Sequence, residues 1–365
     1  MKNLKVFQTI NDKSRVSSID IFRAVAIISV VLFHFDERLP FGFLGVDLFF
    51  VISGLLIGGL LTKEFKNKGK ISFFRFFLSR GFKIWPSYYF FILFGSLVAF
   101  CFYRTSNPGQ IIPFWDIKRY LFFYQNYTGV PFHWSFDHVW SLCVEEHFYV
   151  LLPIMFLIVQ NFFPEKVRLK ALFIFVILTI ISGMLFKYLS FIFTHSKDTY
   201  SGTHNRIDSL AWGVLLNFIL MYYREKMKNK KFAFFAFFSG LVILIVSIYI
   251  DSNPKNFLFD KIYFHSVTPI SFFLMLAGLY FVDFSRMKFL RVIAYYSYNW
   301  YLWHPVFVIF ITQKLGNTTF GLLAYLMITF VVAVAATMLI EEMALKKRKT
   351  VLNKIFKQVQ MKKDK

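Results

Sequence analysis

Cysteine is nearly absent: the chain holds two in 365 residues, Cys101 and Cys143. Neither has the spacing of a metal ligand, so no metal site is expected and each reads as a small apolar residue. Charge is also scarce, at 17% of residues, and acid scarcer still, with 20 Asp and Glu against 42 Lys and Arg. No Walker or dinucleotide fingerprint occurs, which removes the common phosphate-cradling folds. Internal repeats, long linkers and a soluble domain beside the apolar runs are lacking too. The first apolar run follows a polar stretch of eighteen residues and has no small-residue cleavage site. It is therefore expected to stay as a helix and not to be cut as a signal peptide.

What fills the chain is apolar: 57% of residues are hydrophobic, with a net charge of +22. In a soluble protein such a balance would suggest nucleic acid. Here the basic residues stand in short clusters between apolar runs of about twenty residues, the length a helix needs to cross a bilayer. Nucleic acid is thus not an expected partner, and membrane lipid is. Ten runs qualify, roughly 19–35, 43–62, 85–103, 139–160, 171–193, 207–223, 232–250, 265–282, 292–311 and 319–340. Most of the Lys and Arg lie at the N-terminus, in alternate loops and in the tail from Lys346, including Lys2, Lys5, Lys13, Arg15 and the cluster Lys63 to Lys83. By the positive-inside rule both termini are cytoplasmic. The expected fold is an all-α polytopic integral membrane bundle of about ten transmembrane helices. It divides into a cytoplasmic segment 1–18, a membrane domain 19–342 and a basic cytoplasmic tail 343–365, placed in the inner or plasma membrane of a bacterial cell. Two segments are expected to lie on the inner surface as interfacial helices: 71–84, and the tail around Leu352, Ile355, Phe356 and Val359.

An ionisable group inside a span is costly and is a functional candidate by default. Arg23 and His34 are eleven residues apart in the first run, which at 100° per residue puts both on nearly one face, about 16 Å apart along the axis. The plainer reading is a snorkelling arginine and an interfacial histidine. The fourth run opens with HVWSLCVEEHFYVLLP, setting Glu145, Glu146 and His147 inside its outer boundary, where at most one glutamate easily shares a face with Ser141. A structural ion pair with Arg206 or Lys187 is the alternative for those carboxylates. Asp47, Arg206 and Asp208 stand at outer span ends, and His304 precedes a proline, where a kink is the commoner explanation. Arg80 and Lys83 lie on the inner face, available to an anionic ligand or to lipid headgroups.

Six segments in this order resemble acyltransferase family 3, membrane enzymes that O-acetylate bacterial surface glycans. They are Arg23-x10-His34, GVDLFFVISGLL, SRGFKIWPSYY, WSLCVEEHFYVLLP, RIDSLAWG and SYNWYLWHP, spread from residue 20 to about residue 305. The resemblance implies transfer of an acyl group, by family precedent acetyl, from cytosolic acyl-CoA to an extracytoplasmic hydroxyl, with no permanently bound cofactor. It makes Arg23 and His34 essential. The family's paired arginines before Ile-x-Pro are Arg80 and Lys83 here, which keeps charge but loses bidentate geometry. His147 stands where the family has Gln. Many relatives carry an added esterase-like domain, for which these residues are expected to leave no room.

On that footing the CoA phosphates are expected near Arg80, Lys83 and Arg23. His34 acts as general base, or as the nucleophile of an acyl-histidine intermediate. One of Glu145 and Glu146 orients or stabilises it. Asp47, Ser141, Arg206, Asp208 and His304 are candidate contacts to the acceptor. O-antigen, capsule, exopolysaccharide, peptidoglycan and a lipid-linked sugar all fit as that acceptor. A transporter or flippase of a lipid-linked sugar or small solute, and a non-catalytic assembly partner, are the competing classes.

Overall fold

The computed structural model describes residues 5–12, 15–104, 112, 116–127, 134–194, 200–252 and 262–363. Lys2 and Lys13, counted above among the inner charges, lie outside these, as does the side chain of Val359. The long helices, in chain order, are α1 Ser17–His34, α2 Gly45–Lys68, α3 Phe73–Phe90, α4 Trp140–Phe162, α5 Arg168–Thr194, α6 Ile207–Met227, α7 Lys230–Asp251, α8 Phe264–Leu279, α9 Lys288–Leu315, α10 Thr319–Ala336 and α11 Glu342–Lys363. No strand occurs among the described residues. The protein is all-α and polytopic, as expected.

The count of ten spans is not reproduced. Among the described residues, seven helical stretches are long and apolar enough to cross a membrane by length and composition alone. They contain α1, α2, α3, α4, α5, α7 and α10. The other three runs are helical but fall short for physical reasons. Helix α8 is apolar but only 16 residues long. Helix α6 carries Asp208, Asn217, Arg224 and Lys226, and α9 carries Arg291, Asn299, His304 and Lys314. The segment 71–84 also differs from expectation. It is no separate surface helix: α3 runs unbroken through Pro86 into a π-helical turn, Phe91–Gly95, and on into Ser96–Tyr103.

The described residues form two compact units. The first comprises Met1–Phe33, Glu37–Ile71 and Trp140–Tyr295. Its core gathers Ile19, Phe22 and Ala26 of α1, Leu48, Val51 and Leu55 of α2, Leu216 of α6, and Phe272 and Leu276 of α8. Where α2 crosses α6, glycine permits a backbone approach that no side chain would allow. A Cβ on Gly54 would collide with the Leu210 carbonyl, and one on Gly213 with the Val51 carbonyl. Such small-residue contacts hold helices together in lipid, where apolar burial drives nothing. Valine at Gly54 or Gly213 is expected to destabilise by about 3 kcal/mol through overpacking, read as a lower melting temperature of the purified chain in detergent.

Helix ends in this unit are closed by side chains. Arg168 donates to the Gln160 carbonyl (2.8 Å) and the Phe163 carbonyl (3.1 Å) at the end of α4. The start of α1 is tied down by Ser17, which donates to Asp283 (3.1 Å) and accepts from the Phe284 N–H (2.8 Å). Hydrogen bonds from the Ser285 N–H and hydroxyl, with the one from Ser17, hold the Asp283 carboxyl below the usual carboxylate range. Asp20 is buried between Arg15 and Arg291, its carboxylate accepting from Arg15 Nε (2.7 Å) and Arg291 Nε (3.0 Å).

The second unit comprises His34–Asp36, Ser72–Val139 and Tyr296–Lys365. Trp300 donates its indole N–H to Thr329 (2.9 Å), joining α9 to α10. Tyr298 donates to the Ile84 carbonyl (2.9 Å), joining α9 to α3. A π-helical turn, Thr337–Glu341, leads from α10 into α11. The tail does form a helix, and it packs on α3: Leu352 is buried, and the Arg75 guanidinium lies 5.9 Å over the Phe356 ring.

Candidate active site

Polar side chains gather in clusters within each unit. In the first unit, Asp47 near the start of α2 forms an ion pair with Arg206, and both are fully buried. Ser209 also donates to Asp47 (3.4 Å). The Arg206 guanidinium is surrounded by the rings of Tyr200 (4.9 Å), Phe50 (5.8 Å) and Trp140 (5.9 Å). Beside it Lys187 of α5 donates to Asp208 (2.5 Å), to the His265 carbonyl (3.0 Å) and to Ser266 (3.2 Å). Two cations and two carboxylates thus meet in pairs, each charge answered by its neighbour. The partners the structure shows for Arg206 and Lys187 are aspartates, not the α4 glutamates offered as the alternative.

On α4 the two glutamates part company. Glu146 is buried, as is Ser141, while Glu145 is half-buried. Tyr149 donates to Glu145 (2.6 Å) one turn away. Because that spends its only proton, Ser53, at 2.8 Å, donates to the Tyr149 hydroxyl. His147 Nδ1 lies 2.7 Å from the Thr203 hydroxyl. Arg23 lies within α1, half-buried, three turns before His34.

In the second unit the grouping is of imidazoles. His34, half-buried at the end of α1, has its Nδ1 3.3 Å from Nε2 of the fully buried His304. His304 Nδ1 in turn lies 3.0 Å from the Trp300 carbonyl, one helical turn back. A third ring, buried His138, stands 5.4 Å from His304 and 5.1 Å from Tyr301, and the Tyr301 hydroxyl donates to the His138 carbonyl (2.8 Å). The Pro305 ring supplies no N–H to the Tyr301 carbonyl, so α9 has a gap in its ladder beside this cluster. Among the described residues no group of three or more His, Cys, Asp or Glu is placed to hold a metal ion.

Also in this unit, Lys83 is ion-paired with Glu341, whose other oxygen accepts from Asn299 (3.0 Å). Arg80 lies on the same helix, its guanidinium 5.9 Å over the Phe76 ring.

Sequence reasoning therefore named His34, His304, Lys83, Lys187, Asp47, Arg206 and Asp208 but not which of them pair with which. It missed His138, Glu341 and the Trp300 carbonyl altogether. His138 opens the same HVWSL segment that supplied Ser141 and the glutamates, the one signal that pointed to it.

Comparison with known proteins is consistent across the chain. A family model described as an acyltransferase domain, of acyltransferase family 3, matches residues 16–342. O-acetyltransferase OatA of Staphylococcus aureus is 27% identical over 335 residues, covering 86% of this chain and 54% of its own length. A putative O-acetyltransferase of S. aureus strain COL is 27% identical over 338 residues, covering 85% of this chain and 54% of its own. The chain spans about half the length of these curated relatives. No solved structure matches significantly. With a family match over nearly all of its length, this chain belongs to acyltransferase family 3.

Proposed function

We propose that the chain is an O-acyltransferase of the bacterial inner or plasma membrane, moving an acetyl group from cytosolic acetyl-CoA to a hydroxyl of an extracytoplasmic glycan. The observation that carries this reading is the pairing of His34 with the buried His304 and, through it, the Trp300 carbonyl. Family membership and the printed names of the relatives support the same chemistry. The imidazole of His34 takes the proton of the acceptor hydroxyl as its oxygen attacks the thioester carbonyl. The C–S bond breaks, an O-acetyl ester forms, and the CoA thiolate leaves and recovers a proton. In the alternative sequence His34 itself attacks, CoA leaves, and the hydroxyl then takes the acetyl from the acyl-imidazole.

Both termini are cytoplasmic in this proposal, and the CoA phosphates approach the inner end of α3. Lys83 has a carboxylate partner in Glu341 that offsets its charge, and a lysine ammonium lacks the planar, bidentate fork that the Arg80 guanidinium offers a phosphate. Arg80→Gln is expected to raise the apparent KM for acetyl-CoA about tenfold with a smaller change in kcat, since a hydrogen bond to a charged group contributes about 1.5–3 kcal/mol. Lys83→Gln should raise it less. Steady-state kinetics over a range of acetyl-CoA concentrations measures both, and an unchanged KM in Arg80→Gln removes the inner-face docking site.

The reading as a whole is tested with the purified chain in lipid vesicles, radiolabelled acetyl-CoA and a panel of glycans: O-antigen, capsule, exopolysaccharide, peptidoglycan and lipid-linked sugars. Formation of an alkali-labile labelled ester supports it and identifies the acceptor. Movement of unmodified sugar across the bilayer without ester formation replaces it with a transporter.

A further inference from the structure

We infer that His304 is a positioning residue that fixes the tautomer of His34, so that Nε2 of His34 is the atom that takes the proton or the acyl group. This rests on the reading of His34 as base or nucleophile. The argument follows from which atoms can donate. A carbonyl oxygen only accepts, so the contact between the Trp300 carbonyl and His304 Nδ1 (3.0 Å) places a proton on Nδ1. In the neutral ring the other nitrogen, Nε2, then carries the lone pair. That lone pair faces Nδ1 of His34 at 3.3 Å, so the proton of neutral His34 sits on Nδ1. Its Nε2 is left with the lone pair.

The order is carbonyl, imidazole, imidazole. A second histidine occupies the place that a carboxylate holds in a hydrolase triad, accepting from the catalytic ring and keeping it in one tautomer. The histidine here is buried, and a neutral imidazole orients without adding a charge to the apolar interior. Its ring is held on further sides by His138 (5.4 Å) and Tyr301 (5.8 Å).

Two measurements test the inference. In the first, His304→Leu is expected to lower kcat about 100-fold with KM for acetyl-CoA within about twofold of the parent, because lost orientation acts on the chemical step. His304→Gln, whose amide oxygen can accept from His34 Nδ1, is expected to recover about tenfold of that loss. A space-filling role would treat the two variants alike. Wild-type kcat in a folded His304→Leu variant, or no recovery in His304→Gln, overturns the inference. His34→Ala runs beside them: if it stays active, the reading of His34 as the reacting group fails first. The second measurement needs no turnover. Nitrogen-15 spectra of the histidine-labelled chain in bilayers, with the His34 signals assigned by their loss in His34→Gln, should show the proton of neutral His34 on Nδ1. A proton on Nε2 overturns the inference whatever the activity.

Discussion

Alanine in place of His34 is expected to lower acyl transfer about 1,000-fold or more, the contribution of a positioned base or nucleophile, with no loss of the chain from the membrane. The side chain sits half-buried at the last position of α1. Its removal therefore opens no deep cavity and interrupts no helical hydrogen bond. The measurement is the rate of labelled ester formation per mole of purified chain, set against membrane abundance by immunoblot. Full activity at normal abundance would sink the role. A rapid-quench experiment with labelled acetyl-CoA and no acceptor goes further. Label retained on the wild-type chain and absent from the variant establishes an acyl-histidine intermediate, whereas absence from both favours direct transfer.

The second large effect concerns stability. Asp47→Ala leaves the fully buried Arg206 with its carboxylate gone and aromatic rings around it. Breaking one half of a buried pair costs about 3–5 kcal/mol, because the surviving charge keeps its desolvation penalty and loses its answer. The variant should lose most of its accumulation and melt at a markedly lower temperature in detergent. Replacing both partners by apolar residues, as in Asp47→Leu with Arg206→Met, should recover much of that stability. A single variant as stable as the parent would show that the pair does not hold the helices. The double variant also separates two roles: stable and active means a structural pair, stable and inactive returns Asp47 and Arg206 to acceptor binding.

How much of this was legible in the sequence depended on the distance over which each feature is encoded. Apolar runs are local, so a helix lies on each of the ten expected stretches, although the third begins at Phe73 and not near residue 85. What composition alone could not settle was how many are spans, since α6 and α9 bear the charged and amide groups that pair within the protein. The hydrogen bond of Tyr149 to Glu145 is also local, four residues apart on one face. Pairings across the chain were invisible. His34 and His304 are separated by 270 residues, and Lys83 and Glu341 by 258. A histidine before proline looks like a kink when read alone, and here its ring also lies against that of His34. The sequence supplied His34 and His304 separately, and the geometry supplied their pairing.

The Asp47–Arg206 pair has a further consequence during synthesis. Asp47 leaves the ribosome 159 residues before Arg206. At about 5–20 residues per second, the α2 helix waits on the order of ten to thirty seconds for its countercharge. An ionisable group inside a span is costly, and through that interval Asp47 lacks the guanidinium that answers it in the folded chain. The N-terminal third of the chain cannot reach its final seat alone, and truncations between Asp47 and Arg206 should be recognised and degraded as orphaned segments.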